Sequence, residues 1–380
     1  MLERRREAFG EGHYSCGRLL GSLGMVRTQL GRLTEARSDL EGAVAILDRR
    51  LGDDHPWTLA ASANLAACMV EALDLDAALP LRERTLAAQK RVLGDEHPET
   101  LTSMSNLATI YRGLGRSDEA EKLTRETLAI EERALGRDHP DTLITRENLA
   151  GVLFAAARYQ ESLALVNDVL EGRKRTLGDD HPAVTRTMYN LAMLRRAAGD
   201  DAAAEPMFEA VLQRHRDSLT PGHPAFVDVL ARLAAYRTKA KDFAAAERHY
   251  QEAITIREAT SSPDTPESTL LHHDLGVMLL QSGDLPRAAT ELRATYERRL
   301  RVHGKDHEYP ISTGYALGAV LLAQQDFAAA EPLFVAFAVR REAEGRLEEP
   351  DAQRCVGRLV EVYEKLGREV DAAAWRQKQK

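Results

Sequence analysis

Histidine-proline pairs stand at 55–56, 97–98, 139–140, 181–182 and 223–224, and His272, His273, His303 and His307 follow further along. Imidazoles bind metals, move protons or serve as polar groups at turns. A shared metal is excluded for the regular pairs. Equivalent helices in a stack lie roughly 8–10 Å apart, whereas Zn–N bonds are about 2.0–2.1 Å. His272 and His273 are neighbours, and adjacent helical side chains point in different directions. No cysteine or carboxylate cluster completes a zinc spacing around them, or around His303 and His307. No GxSxG, HExxH, phosphate-binding loop or dinucleotide fingerprint occurs. Carboxylate pairs such as Glu131-Glu132 are expected on outward helix faces, where i,i+4 partners and water account for them. These residues therefore predict no enzyme, no cofactor and no metal.

Punctuation is the remaining role for the histidines. Each pair follows the last by 42 residues without insertion or deletion, and the same ruler reaches Thr265-Pro266, His307-Glu308 and Glu349-Pro350, and backward His13-Tyr14. Each sits where a polar N-cap belongs, and Thr265, a better cap, replaces it once. Proline fits the first helical position, where its missing N–H costs nothing.

The elements follow from the same period. Asn-Leu-Ala recurs at 64–66, 106–108, 148–150 and 190–192, and a small residue recurs at Ala36, Ala78, Ala120, Ser162, Ala204, Ala246, Ala288, Ala330 and Ala372. A period this constant means one supersecondary block stacked on its neighbours. In the third unit, Pro98 starts a first helix with Leu101, Leu107, Ala108 and Tyr111 as its apolar stripe, and Gly115 stops it. The second helix should turn Ala120, Leu123, Leu128 and Leu135 inward, with its charges outward, and stop at Gly136. The stop glycine of the first helix falls only at 31, 115, 199, 283 and 367, every second unit. The chain thus divides into the end of a preceding repeat (1–12), eight repeats (13–348) and a capping helix pair (349–380). LERRREAFG matches the end of a second helix, either as a half-unit cap or as the sign of a longer protein with repeats upstream. The segment ATSSPDTPEST at 259–269 lacks the Leu-Gly stop and is the expected flexible joint.

Composition agrees. The 380 residues are 44% hydrophobic but only 5% aromatic, and the net charge of −8 is spread without a basic block. That argues against nucleic-acid binding. Cys16, Cys68 and Cys355 are scattered, as expected of reduced helix residues in a cytoplasmic protein. No run approaches the roughly 20 apolar residues that span a bilayer, so no membrane role is expected.

The combination LGxxHPxT, NLA, Gly, EA and Leu128-Ala129-Ile130 resembles tetratricopeptide repeats of the kinesin-light-chain type over nearly the whole chain. The ending LVEVYEKLGREVDAAAWRQKQK is similar to the close of C-terminal repeat arrays of bacterial serine/threonine kinases, although no kinase Gly-rich loop, HRD or DFG occurs. The resemblance implies an all-α, right-handed superhelical solenoid of antiparallel helix pairs. It also implies a bacterial, cytoplasmic scaffold for a protein or peptide, or the sensory or docking region of a larger signalling protein. Exposed array ends could associate end to end.

The resemblance also places the first helix of each pair on the inner wall. The NLA asparagines Asn64, Asn106, Asn148 and Asn190 then form a ladder able to bond an extended peptide's backbone, or bond a neighbouring helix and set repeat spacing. Arg232, Asp274 and Ala316 continue the column. Around it lie Thr102, Arg112, Arg186, Tyr189, Met193, Arg196 and, one residue beyond, Lys239, with Glu147 and Phe154. The arginines suit carboxylates, so an acidic peptide bound through repeats three to six is expected. In repeats seven and eight, Leu270, Val277, Leu280, Ala316, Ala319 and Leu322 make the wall apolar, for a second partner's helix or for tighter closure.

Overall fold

The structure, a computed structural model, describes residues 2–379; among these there is no strand. Helix α1 (Leu2–Phe9) comes first. The first helices of the successive pairs are α2 (Tyr14–Gln29), α4 (Pro56–Glu71), α6 (Pro98–Gly113), α8 (Pro140–Ala155), α10 (Pro182–Ala197), α12 (Ala225–Lys239), α14 (Pro266–Ser282), α16 (Glu308–Ala323) and α18 (Pro350–Lys365). Their partners are α3 (Leu33–Leu51), α5 (Leu75–Leu93), α7 (Ser117–Ala134), α9 (Tyr159–Leu177), α11 (Asp201–Ser218), α13 (Phe243–Thr260), α15 (Leu285–His303), α17 (Phe327–Ala343) and α19 (Glu369–Arg376). The helices group into two compact units, one ending at Ala204 and the other beginning at Glu205. Helices α1 to α10 in the first unit, and α12 to α19 in the second, each pack on the next in sequence.

The histidines are caps. Nδ1 of His13, His55, His97, His139 and His181 accepts the backbone N–H two residues on, at 3.1–3.3 Å. His223 and His307 do the same for Ala225 and Tyr309, and Thr265 Oγ1 accepts from Ser268. The ring must be neutral at Nδ1 to accept, which leaves no lone pair there for a metal or a substrate proton.

At the other end, the first helices close in one way. The N–H of Arg32 returns to Arg27 O and that of Gly31 to Thr28 O, the two bonds of a Schellman motif. The pattern repeats through Arg368 and Gly367. It needs a left-handed residue, and Gly31, Gly115, Gly199, Gly283 and Gly367 supply it in alternate units. Leu73, Ala157, Lys241 and Gln325 take the same conformation, φ 58–62°, in the units between. The missing glycines are therefore replaced without loss of the turn.

All nine small residues of the expected column are wholly buried. Cys16, Cys68 and Cys355 are buried free thiols. In α7 the expected register is corrected by one step. Ala120, Thr124, Thr127, Ile130 and Glu131 face inward, Leu123 and Leu128 are half-buried, and Leu135 is 43% exposed. Glu131, expected outward, is 4% exposed. The i, i+4, i+7, i+11 spacing from Ala120 dictates this face irrespective of side-chain polarity.

In the second unit one hydrophobic cluster runs from Ala234 to Ala372. Its helix α16 is buried almost all round, Gly318 lying so close to Phe334 that an added Cβ would sit 3.0 Å from the ring. Ala316 and Ala319 are buried, Val277, Leu280 and Leu322 pack partly buried against the core, and Leu270 is 51% exposed. The 259–269 segment forms a capped turn like the others, and Arg301 reaches Asp264 across it.

Candidate functional site

In the first unit, α6, α8 and α10 lie side by side, and two clefts open between them. A cleft of about 310 Å³ between α8 and α10 is lined by Ala150, Gly151, Phe154, Asn190, Met193 and Arg196, with Val166 of α9 behind. Its lining is predominantly apolar. Phe154 is 38% exposed, its ring 5.5 Å from Tyr159. Glu147 marks the polar end. It accepts from Arg173 Nη2 and Asn190 Nδ2, both at 2.8 Å, and Arg173, itself buried, also donates to Thr187 Oγ1 at 2.5 Å. The Asn190 amide thus serves the joint between repeats.

Between α6 and α8 a second cleft of about 330 Å³ brings together Thr102, Asn106, Asn148 and Ile144, with Glu131 of α7. Asn106 and Asn148 are exposed and, among the described residues, make no side-chain hydrogen bond. Thr102 Oγ1 donates to Pro98 O and keeps its lone pairs outward. Arg112 lies beside these groups; its guanidinium fills the room left by Gly151, where an added Cβ would come 3.1 Å from Nη1. Burial pushes the Glu131 carboxyl above its ordinary range, while Thr145 opposes the shift by hydrogen bonding.

Of the expected residues, Thr102, Asn106, Arg112, Asn148, Asn190, Met193 and Arg196 thus fall along one row, with Phe154 and Glu147. Arg186 is exposed and Tyr189 half-buried on α10, and neither lines these clefts. Asn64 lies apart in a shallow recess of about 150 Å³ between α2 and α4, near Trp57, over which Arg18 stacks at 4.2 Å. Arg232 and Lys239 belong to α12 of the second unit. There Arg232 lies in the field of Asp274, whose carboxyl burial pushes up to about 6 against the opposing charges of Arg299 and Arg232. Sequence reasoning missed Glu131, Ile144 and Arg173. Leu47, 84 positions before Glu131 and inward in its own repeat, was the available signal for the first.

Paired helices with recurring caps at a fixed period define a helical-repeat protein. Tetratricopeptide repeat families match residues 15–81, 71–133, 114–175 and 141–217, and a second set 227–267 and 273–309. The chain belongs to the tetratricopeptide repeat family. It is similar to a crystal structure of nearly identical, kinesin-light-chain-type TPR-like repeats from Podospora anserina, with 30% identity and a TM-score of 0.51. That match covers 54% of this chain and 97% of the other. The fold is also that of the quorum sensor NprR from B. thuringiensis in its apo form (12% identity, TM-score 0.59, covering 94% of this chain and 96% of that one). RapI, likewise in its apo form, gives 11% identity and a TM-score of 0.60, covering 93% of this chain and 87% of that one. No curated protein is similar enough to count as a match.

Proposed function

We propose that this protein is a non-catalytic scaffold that holds an extended peptide along α6, α8 and α10. The supporting observation is the row of two clefts with exposed, unbonded Asn106 and Asn148 amides between them. Each amide both donates and accepts, so the pair can bond a peptide backbone whatever its sequence. The α8/α10 cleft, walled by Phe154 and Met193, takes one apolar side chain. Arg112 and Arg196, which make no ion pair among the described residues, favour a carboxylate beside that anchor. Asn190 contributes by holding Glu147 and so shaping the cleft.

The experiment is a peptide array probed with the wild type, with the Asn106→Ala/Asn148→Ala pair and with Phe154→Ala. Peptides that bind the wild type should lose tenfold or more affinity in both variants, as expected where a few central contacts dominate. Unchanged binding by the double variant would remove the asparagines from the site.

A further inference from the structure

We propose that the α6/α8 cleft is a socket for a basic side chain, an ammonium or guanidinium on an aliphatic stem, held by Glu131 at its floor. This deepens the peptide-binding reading and rests on it for the chain that carries the side chain.

Glu131 is 96% buried by its exposure of 4%, and its Oε2 has no hydrogen-bond partner among the described residues. A buried carboxylate without a counter-charge is costly, and proteins ordinarily pair it or fill the space with apolar groups. Among the described residues no lysine or arginine pairs with it. Arg146, itself buried on the facing helix, pairs with the neighbouring Glu132 instead, and Arg133 pairs with Glu96 at 2.5 Å. Beyond burial, Asp141 raises the Glu131 carboxyl by repulsion, while Thr145 and the cap His139 act the other way.

The cleft above it has the matching form. Leu101, Ala134, Leu135 and Ile144 give apolar walls for a methylene stem, and Glu96 and Asp141 stand at the rim. Ile144 is 48% exposed and Leu135 43%, so both present apolar surface to whatever enters. The position is also singular in its repeat column. Gln89 stands one repeat earlier and Arg173 one repeat later, and Arg173 has two partners. Glu131 is the acid in a series that otherwise turns basic.

The test uses the full chain, 15N-labelled, titrated with Nα-acetyl-lysine methylamide and with the norleucine analogue as a neutral isostere. Shifts should saturate in amides of 98–155, with at least a tenfold preference for the lysine compound. Glu131→Gln, which copies the residue already accommodated at Gln89, should abolish the preference. Thr102→Trp, a surface change that narrows the mouth and leaves Glu131 in place, should abolish binding. Equal binding of the two amides, shifts in other helices, or full binding by both variants overturns the proposal. Butylamine separates the source. Weaker binding than the lysine amide supports a peptide-borne side chain, and equal binding overturns that assignment in favour of a free amine. The asparagine variants report on the groove independently.

Discussion

At the scale of single residues, the joints between helices carry the clearest energetics. Leu73, Ala157, Lys241 and Gln325 hold a left-handed backbone that glycine takes freely and other residues take at a cost of about 1–2 kcal/mol. Leu73 is 85% exposed, so replacing it loses no packing. Leu73→Gly should stabilise the protein by up to about 1 kcal/mol after glycine's own entropy is subtracted, seen as a higher urea midpoint; a fall would mean the turn is not strained. At the opposite helix end, His97→Ala should cost about 0.5–2 kcal/mol, and His97→Asp should restore it, read as hydrogen exchange in the first turn of α6. Both caps differ in legibility. The histidines announced themselves by recurring, whereas Leu73 and its equivalents carry no chemical sign of their backbone. Glu131 misled for a related reason, since its polarity suggested water while its register pointed to the interior. Asn190 took the alternative role because Glu147, 43 positions away in sequence, sits opposite it, a pairing that only packing reveals.

At the scale of elements, α14 concentrates both close packing and titration. An added Cβ at Gly276 would lie 2.5 Å from Leu292 Cγ, a side chain with no exposed surface. Gly276→Ala should therefore cost about 1–3 kcal/mol through overpacking, measured as a lowered thermal midpoint. Three adjacent residues of the same helix have displaced titrations. Burial lowers His273 to about 4, with Arg299 assisting. His272 is buried against charging, yet Glu291 and Glu258 outweigh that and raise it. Asp274 is raised from 3.8 to about 6 by burial. The folded state thus holds the Asp274 proton more tightly than the unfolded chain does. Its contribution is complete below about pH 4 and is lost as pH climbs through about 6. Asp274→Asn, which restores the column's usual residue, should gain on the wild type by on the order of 2 kcal/mol between pH 4 and 7. Denaturant melts at both pH values decide it, and a constant difference between the two proteins would refute it. The helix itself was legible from Thr265-Pro266 and the periodic leucines. Its displaced titrations were not, because burial of polar positions depends on the neighbouring helices.

For the molecule as a whole, stability is distributed along the chain, since contacts within each unit join nearest neighbours. Among the described residues, helix α1 packs mainly on α2 and α19 mainly on α18. Amides of these terminal helices should exchange fastest, and those of α8 and α16 slowest within their units; uniform protection would argue against a stack of semi-independent pairs. Exposed ion pairs such as Arg175 with Asp138 and Arg301 with Asp264 tie successive repeats at a spacing of 37 residues. Each is worth about 0–1 kcal/mol and weakens in salt, so they tune register more than they hold the array. The period made the helix pairs readable in advance, since one unit explains all the others. The clefts were readable only in part, because they depend on which side chains a given repeat happens to omit. That unevenness bears on the column running Leu47, Gln89, Glu131, Arg173, His215, Arg257, Arg299 and Arg341. One letter in a fixed frame changes from grease to amide to acid to base, with no loop lengthened and no helix moved. New selectivity in such a chain is therefore a single-codon affair, reached by spelling a rung differently instead of building another.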